Sequence, residues 1–481
     1  MVFSDLFFLF VFIPAFALCY MLAAMVDRWF STPTTSRMLL KNIVIVLFSL
    51  IFYGWGEPVY VFLMILCVFL NYLSGLGIDR SEGKRRKVML ALGLIANLLI
   101  LGTFKYAGLF AQTLCDIGIN IHVPQIALPI GISFYTFQSI SYLADVYRKQ
   151  SPAQHHFGNL LLYISMFPQL VAGPIVRYDT IAREINDRKI SAEDIAEGLF
   201  RFLIGLGKKV IIANQFSEIA DQFLAGNISN LSTAGAWIGL FAFALQIYFD
   251  FSGYSDMAIG MGRCMGFHFN ENFNHPYVSR SITEFWRRWH ISLGSFFRDY
   301  VYIPLGGNRR HQTINIMFVW MLTGLWHGAS WNFVLWGLYF GLFLLLEKYL
   351  ILRIIERVPR IFSHIYALAL VVIGWGLFYF DNIGSIGTFY SALFGQGNIA
   401  ADIAEESALI NNFWLWIVAI IFCMPTRQFI TNITERLLAK HQGALACVTI
   451  SARTIVSLVI LILSVALLVG ATNNAFIYTR F

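Results

Sequence analysis

Charged residues are scarce in this chain. Asp, Glu, Lys and Arg make up 13% of its 481 residues, whereas hydrophobic residues make up 58%. A soluble domain usually contains about 25% charged and about 45–50% apolar residues. The scarcity therefore excludes a soluble protein along most of the length and predicts an integral membrane protein. Cationic loops that hold membrane topology explain the net charge of +7, so we expect no nucleic-acid partner.

Paired cysteines and the common nucleotide, metal and hydrolase motifs are also missing. The six cysteines form no CxxC pair, which argues against a zinc cage or a disulfide framework. The sequence has no Walker motif, GxGxxG fingerprint, HExxH or GxSxG, and its single histidines lack metal-ligand spacing. We therefore expect no metal and no permanently bound cofactor.

Apolar stretches of near span length recur from end to end. A helix needs roughly 20 apolar residues to cross the hydrocarbon core. The sequence thus predicts an all-α polytopic membrane protein with about 11–13 transmembrane helices. The stretch 160–176 is broken by Pro168, Gly173 and Pro174, which indicates a re-entrant or interfacial segment. The predicted spans are 5–26, 40–55, 57–76, 88–104, 125–146, 198–222, 234–252, 313–327, 331–347, 361–380, 409–424 and 453–472.

The loops between these spans alternate in positive charge. The loops 116–125, 226–233 and 381–407 contain no Lys or Arg, whereas the intervening loops are cationic. By the positive-inside rule this pattern places both termini outside the cytoplasm. Lys208 and Lys209 disturb the pattern because they fall inside a predicted span, which is then shifted, tilted or lining a polar cavity. The orienting cations are Arg28, Arg37, Lys41, Arg80, Lys84, Arg85, Arg86, Lys87, Arg148, Lys149, Arg280, Arg287, Arg288, Arg309, Arg310, Lys348, Arg353, Arg357, Arg360, Arg427, Arg436 and Lys440.

The sequence shows no internal repeat, low-complexity linker or soluble segment. Residues 1–481 are therefore predicted to form a single transmembrane domain.

The tripeptide Trp326-His327-Gly328 lies where the apolar stretch 314–325 gives way to another, 333–346. It places an imidazole within or beside a membrane span, where ionisable groups are expensive and by default indicate a functional site. A neutral imidazole can accept a proton from a hydroxyl and later return it. The alternative is a histidine that hydrogen-bonds between helices as structural support. The surrounding motif favours His327 as catalyst, with Trp326, Trp331 and Trp336 walling a narrow apolar channel.

A basic and aromatic segment, 284–302, precedes this histidine. Its composition is typical of a helix lying in the membrane interface. Arg287, Arg288 and Arg298 can hold the phosphates of a cofactor or a membrane lipid bidentately. His290, in the same segment, is a second candidate catalyst, or a residue that merely contacts a carbonyl or Asp299.

Two carboxylates, Asp250 and Asp256, lie at the end of an apolar helix. A buried charge requires a partner, and Arg263, Arg287 and Arg288 are the predicted ones. We favour an ion-pair network over the alternative, a polar wall of a substrate tunnel.

Together these motifs resemble those of the membrane-bound O-acyltransferases. The resemblance covers most of the chain, and some segments are closer to the alginate O-acetyltransferase subgroup. The family motifs are 248–256, 285–290, 298–308 and 325–336, and the subgroup motifs are 128–148, 167–176 and the aromatic C-terminus 476–481.

The resemblance implies a ring of helices around a thin centre, with a central funnel open to both faces. His327 corresponds to the essential histidine of the family and His290 to a second conserved one. The implied enzyme lies in a bacterial inner membrane with periplasmic termini. It takes an acyl group from a cytoplasmic thioester, such as acetyl-coenzyme A, and passes it across the membrane. A periplasmic acetyltransferase partner then completes O-acetylation of an extracytoplasmic polysaccharide.

The implied role of His327 is general base on the acceptor hydroxyl. The oxyanion of the resulting tetrahedral intermediate needs hydrogen-bond donors, for which Asn332 and a backbone amide near Gly328 are the candidates. A covalent acyl-histidine or acyl-serine intermediate is an open alternative. Candidates for orienting a histidine are Asp256, Glu284 and Asp299.

Two other functions compete with polysaccharide O-acetylation. One is D-alanyl transfer from an acyl-carrier protein to teichoic acid, by an enzyme of the same superfamily. The other is secondary transport, since transporters also contain broken helices and intramembrane Asp, Lys and His. Paired repeats are common in transporters and none is evident here, which favours the enzyme. Alginate, cellulose and peptidoglycan all stay open as the glycan.

Overall fold

The computed structural model describes residues 1–31, 38–396, 403–426, 429–430 and 442–471. Within these ranges every regular element is a helix, which confirms the predicted all-α class. The C-terminal motif 476–481 lies outside the described residues, as do the predicted loop cations Arg37, Arg427, Arg436 and Lys440.

The N-terminal part consists of long helices followed by short ones. A π turn at Phe8–Phe12 leads into the first helix, and another at Gly102–Tyr106 joins α4 to α5. The helices are α1 (Ile13–Trp29), α2 (Leu39–Gly56), α3 (Tyr60–Asp79), α4 (Gly83–Leu101), α5 (Ala107–Asp116), α6 (Ile132–Arg148), α7 (Phe157–Ser165), α8 (Phe167–Leu170) and α9 (Tyr178–Asn186).

The rest of the chain alternates long helices with interfacial pieces. Further π turns follow α10 at Lys208–Ala213, α14 at Arg298–Tyr302 and α16 at Glu347–Ile351. The helices are α10 (Ala192–Gly207), α11 (Asn214–Leu224), α12 (Thr233–Cys264), α13 (Ile282–Arg288), α14 (Ile291–Phe297), α15 (Gln312–His327), α16 (Trp331–Leu346), α17 (Leu352–Ile355), α18 (Arg360–Tyr379), α19 (Ile383–Ser391), α20 (Ile403–Ile410), α21 (Phe413–Cys423) and α22 (Gln442–Val469).

Seven described helices are long and apolar enough to cross a membrane, or eight if α20 and α21, bent by 57°, form one broken span. The protein is therefore a multi-pass membrane protein. The sequence predicted a larger number because several predicted spans are short helices. α6 has 17 residues, and α15 and α16 have 16 each. At 1.5 Å per residue these helices measure about 24–26 Å, less than the roughly 30 Å of a hydrocarbon core.

The predicted break in 160–176 is present. α7 ends at Ser165, and a new short helix, α8, begins at Phe167 with Pro168 in its first turn. Proline is tolerated there because the first helical N–H groups have no intrahelical partner.

The centre of the molecule is α12. Of its most apolar window, 72% is buried inside the protein. Glycines let α10 approach it, since a Cβ on Gly260 would lie 2.5 Å from the Gly198 carbonyl oxygen and one on Gly205 would lie 2.5 Å from the Gly253 oxygen. Small residues at such contacts are the usual way for membrane helices to pack closely.

Candidate active site

His327 is the last residue of α15, and its side chain is buried. Beyond it the backbone is extended at Gly328, and α16 begins at Trp331. The two helices pack through glycines: a Cβ on Gly324 would lie 2.1 Å from the Phe333 carbonyl oxygen, and one on Gly337 would lie 2.2 Å from the Trp320 oxygen. Any larger residue would separate the helices, so these glycines fix the place of His327.

Aromatic rings enclose His327. Its ring centroid lies 4.9 Å from that of Trp326, 5.0 Å from Trp336 and 5.1 Å from Phe378, each in an edge-to-face arrangement. Trp326 and Trp336 thus contact His327 as expected, whereas Trp331, also expected in this wall, is half exposed and donates to Thr113. Gly328 makes room for another ring, since a Cβ there would lie 2.1 Å from Phe333 Cε2.

The second predicted histidine, His290, also packs against Trp326. The ring centroids of His290 and Trp326 are 5.5 Å apart. His290 has a left-handed backbone with φ of 46° just before α14, a conformation that non-glycine residues rarely adopt and that often occurs at functional sites. The fold thus brings both histidines against one indole.

Hydrogen bonding fixes the orientation of the His290 ring. Its Nδ1 lies 3.1 Å from Asn272 Oδ1, which also accepts a bond from the Ser292 hydroxyl at 2.9 Å. An amide oxygen only accepts, so Nδ1 carries the proton and Nε2 has the free lone pair. Nε2 is buried and has no hydrogen-bond partner among the described residues. It is therefore placed to accept a proton.

A cavity of about 530 Å³ opens beside His290, within the usual size range of ligand pockets. Three cations, Arg287, Arg298 and Lys348, line it, and the described lining contains no carboxylate. Aromatic side chains make up much of the remaining wall, including Trp286, Trp289, Phe297, Tyr302 and Trp320. The cavity lining thus combines positively charged side chains with a largely apolar and aromatic wall.

One face of α15 forms a wall of this cavity. Ile316, Val319, Trp320 and Thr323 all line it, and their spacing of three and four residues puts them on a single helical face. His327 follows Thr323 by four residues, so it continues this face about 6 Å farther along the axis. The lining of the cavity on α15 ends at Thr323, about one helical turn before His327.

Not every predicted ligand-binding residue lies at the cavity. Arg287 and Arg298 line it, but the guanidinium of Arg288 pairs with Glu284 at 2.9 Å and donates to the Asn274 carbonyl at 3.1 Å. Asn332 is fully buried and donates to the Leu377 carbonyl at 3.3 Å. The Asn332 amide is thus engaged with α18, outside the cavity lining.

The carboxylates expected to orient a histidine pair with arginines instead. Asp299 accepts from Arg177 at 2.6 Å and from Arg298 at 2.7 Å. Partial burial favours its neutral form, but the bonds from both arginines outweigh burial and lower the pKa of Asp299. Glu284 likewise has a lowered pKa, because hydrogen bonds from the Arg280 amide and Arg288 outweigh its partial burial. Asp299 thereby anchors Arg298 at the cavity.

Asp250 and Asp256 have different partners from those predicted. Lys209 Nζ lies 2.7 Å from Asp250, and Lys208 Nζ lies 2.6 Å from Asp256. Arg201 also reaches Asp256 at 2.8 Å. The expected partners were Arg263, Arg287 and Arg288, of which the first pairs with Asp194. The favoured ion-pair network is present, and it explains why two lysines occur within an apolar span.

Sequence reasoning missed three residues near the site. Lys105 is buried and donates to the Trp326 carbonyl and to the Ser133 hydroxyl. It comes directly after the predicted span 88–104, where a lysine is an ordinary way for a membrane span to end. Asn272 carries no motif, and Lys348 was assigned to a topology-setting loop. A lone lysine closing an apolar run was the signal that could have identified Lys105.

The site lies within a region of the chain that resembles known proteins. The family model described as membrane-bound O-acyltransferase matches residues 147–388, which include both histidines and the cavity-lining residues between 283 and 352. The probable alginate O-acetylase AlgI of Pseudomonas aeruginosa is 42% identical over 407 residues, which cover 82% of this chain and 75% of that relative. The chain belongs to the membrane-bound O-acyltransferase family. It is an acyltransferase of the membrane.

Two further relatives differ in the acceptor that their names give. The peptidoglycan O-acetyltransferase of Helicobacter pylori is 33% identical over 448 residues, 86% of this chain and 83% of the relative. The teichoic acid D-alanyltransferase of Bacillus subtilis is 29% identical over 224 residues, 44% of this chain and 56% of the relative. The O-acetyltransferases therefore share more of the chain, at higher identity, than this D-alanyltransferase does.

Proposed function

We propose that this protein O-acetylates an extracytoplasmic polysaccharide, using an acetyl thioester from the cytoplasm and His327 as general base. The observation that carries the proposal is the cation-lined cavity, which follows one face of α15 to within a turn of His327. A thioester carbonyl delivered along this cavity would meet an acceptor hydroxyl approaching from the other end of α15.

The charge of the cavity supports a phosphate-bearing donor. Coenzyme A and the phosphopantetheine of a carrier protein both contain phosphates joined to a long arm that ends in a thioester. Arg287, Arg298 and Lys348 provide positive charge for the phosphates, and arginine binds phosphate oxygens bidentately. The aromatic wall accommodates the arm. Acetyl-coenzyme A is our first choice of donor.

The proposed transfer uses one proton at His327. The imidazole removes the proton of the acceptor hydroxyl while the hydroxyl oxygen attacks the thioester carbonyl carbon. The tetrahedral intermediate then collapses, the carbon–sulfur bond breaks, and the imidazolium returns the proton to the departing thiolate. His290, whose Nε2 is the accepting nitrogen beside the cavity, is proposed to position the donor or to share this proton.

Two indole groups are proposed to stabilise the oxyanion. Trp286 and Trp336 each have a buried Nε1–H with no acceptor among the described residues, and their ring centroids are 5.5 Å apart. A buried donor without a partner is uncommon in proteins and needs an explanation. Donors held ready for a developing oxyanion contribute strongly to acyl transfer. These indoles replace Asn332, whose amide is already bonded to Leu377.

We further propose an inner-membrane location with both termini periplasmic and the whole chain acting as one catalytic domain. The cavity cations Arg287, Arg298 and Lys348 come from segments that the positive-inside rule assigns to the cytoplasm. The acceptor side then faces the periplasm, where a partner acetyltransferase would pass the group to the glycan. The relatives named for alginate and peptidoglycan O-acetylation support a polysaccharide as the final acceptor.

The deciding experiment measures thioester turnover by the purified protein in detergent with radiolabelled acetyl-coenzyme A. Wild type is compared with His327→Ala, His290→Ala and a control, His122→Ala, which changes an exposed loop histidine. We expect loss of turnover in His327→Ala and wild-type turnover in the control. Equal loss in His290→Ala makes this residue a second essential group.

Two results would overturn parts of the proposal. Turnover with an aminoacyl carrier protein but none with acetyl-coenzyme A would replace acetylation by D-alanyl transfer. Unchanged turnover in His327→Ala would eliminate His327 as the base.

A further inference from the structure

Two consecutive side chains from the π turn Gly102–Tyr106 reach the end of the helix that carries His327. Lys105 Nζ donates to the carbonyl oxygen of Trp326, and the Tyr106 hydroxyl donates to the carbonyl oxygen of Leu325 at 2.8 Å. Both acceptors belong to the last turn of α15, directly before His327. Lys105 is also held from behind, because its Nζ lies 3.3 Å from Ser133 Oγ on α6.

The π turn explains how neighbouring residues can serve neighbouring carbonyls. In a regular α-helix successive side chains point about 100° apart, since a turn contains 3.6 residues. A π turn inserts an extra residue and is often found at functional sites. Here it ends the regular course of α4, and both Lys105 and Tyr106 contact α15.

The acceptors also have an electrostatic reason to attract a cation. The last four carbonyls of an α-helix have no intrahelical partner, and the helix dipole makes this end negative. α15 ends within the protein, where water cannot easily satisfy these groups, and the chain leaves it through the extended Gly328. The Lys105 ammonium and the Tyr106 hydroxyl, from the π turn between α4 and α5, therefore supply hydrogen bonds to the carbonyls at the end of α15.

Burying a lysine inside the protein is unfavourable, so its presence needs an explanation. Lys105 is 8% exposed, and removing an ammonium from water costs several kcal/mol unless partners compensate. Neutral residues could pack α4 against α15 without this cost. Ionisable groups inside membranes usually have a functional role.

We propose that Lys105 and Tyr106 are positioning residues for the catalytic base. By bonding the carbonyls of Leu325 and Trp326 they fix the last turn of α15, and with it the position of the His327 imidazole relative to the cavity. The inference rests on the proposed function, in which His327 is the base. A displacement of about 1 Å in a reacting group can lower a rate on the order of 100-fold.

The test separates positioning from simple structural support. Lys105→Met and Tyr106→Phe keep much of the side-chain volume but remove the donated bonds. Both are expected to lower kcat, the lysine variant by about tenfold or more, while KM for acetyl-coenzyme A stays within about twofold. Lys105→Gln keeps an N–H donor, although one bond closer to the backbone than lysine Nζ, and is expected to recover part of the lost kcat.

Matched controls remove the same chemistry elsewhere. Lys87→Met deletes an exposed lysine of α4, and Tyr72→Phe deletes a hydroxyl bonded to the His155 carbonyl at 2.9 Å. Both are expected to keep wild-type kcat. Monodispersity and thermal unfolding in detergent verify that each variant is folded. Tyr106→Phe, which loses a single oxygen, keeps the test valid if Lys105→Met does not fold.

The outcomes distinguish failure of this inference from failure of the proposed function. If His327→Ala is inactive while folded Lys105→Met and Tyr106→Phe keep wild-type kcat, the positioning role is wrong and the base stands. If the two variants change only KM, Lys105 and Tyr106 serve donor binding and the inference is again wrong. If His327→Ala is active, the proposed base itself fails.

Discussion

The indole of Trp336 is fully buried and packs edge-to-face against His327. If its N–H stabilises the oxyanion, Trp336→Phe should keep the aromatic packing and lose the donor. We expect kcat to fall by about 10²–10³, the usual effect of removing one oxyanion donor, with little change in KM. Steady-state turnover of acetyl-coenzyme A by the folded variant measures this.

Trp331→Phe provides the matched control, because Trp331 is half exposed and its Nε1 donates to Thr113 at 3.3 Å. Equal losses in both variants would assign the effect to packing and not to oxyanion stabilisation.

At the level of single residues, the sequence predicted the histidines better than their surroundings. His327 stood out because an imidazole within apolar sequence is rare, and His290 because it lies in the basic and aromatic segment 284–302. The fold places both against Trp326. Arg288 and Asn332 were less predictable, since the rotation of a short helix decides whether a side chain reaches a cavity or a neighbour. Lys105 was missed because the Trp326 carbonyl to which it donates lies 221 residues farther along the chain, and a backbone carbonyl leaves no mark in the sequence.

Between elements, the pair of Lys209 and Asp250 joins a π turn to α12. Both side chains are at most 5% exposed. Asp250→Asn leaves the buried lysine without its carboxylate, so we expect the free energy of unfolding to fall by about 3–5 kcal/mol. Replacing both residues by Leu should restore most of it. Thermal or denaturant unfolding in detergent measures these changes.

Asp79→Asn is the control for this pair, because Asp79 contacts His155 at 3.9 Å on the surface and both side chains are over 40% exposed. Its effect should stay within about 1 kcal/mol. A comparable loss in both variants would show that burial does not determine the strength of the Lys209 pair.

The contact of α10 with α12 depends on glycine. A Cβ at Gly260 would meet the backbone of Gly198 and Phe202, which cannot rotate away as a side chain can. We expect Gly260→Ala to destabilise the protein by about 1–3 kcal/mol, the range for overpacking, and to lower its melting temperature in detergent.

Gly158→Ala is the corresponding control in a helix, because a Cβ there has no atom within 4 Å. It should be neutral or slightly stabilising, since alanine is the better helix former. Destabilisation in this variant as well would mean that the Gly260 result does not report close packing.

The sequence predicted the bounds of helices best for the long apolar helices that are able to span the membrane. The spans predicted at 40–55 and 57–76 correspond to Leu39–Gly56 and Tyr60–Asp79. It predicted them poorly where protein surrounds them, as for 125–146, where α6 begins only at Ile132. A buried helix can be short, because its ends meet other protein groups instead of water. Hydropathy alone does not distinguish this case from a full span.

For the molecule as a whole, membrane orientation is directly testable. The proposed topology places Asn308, at the cavity, in the cytoplasm and His122 outside. In a background that replaces the native cysteines, Asn308→Cys should be labelled by an impermeant maleimide only after the membrane is opened. His122→Cys should be labelled in intact spheroplasts. The reverse pattern would invert the topology and assign the cavity to an extracytoplasmic donor.

α15 and α16 are each shorter than a hydrocarbon core, and the cavity takes up space beside α15. Moving one elementary charge across a membrane potential of 100 mV changes its free energy by about 2.3 kcal/mol. A continuous chain of water molecules through the protein would let ions cross and dissipate this potential. Trp326, Trp336 and Phe378 close around His327 at this level. If the proposed site lies within the membrane, these rings also have to act as electrical insulation while the two substrates meet beside them.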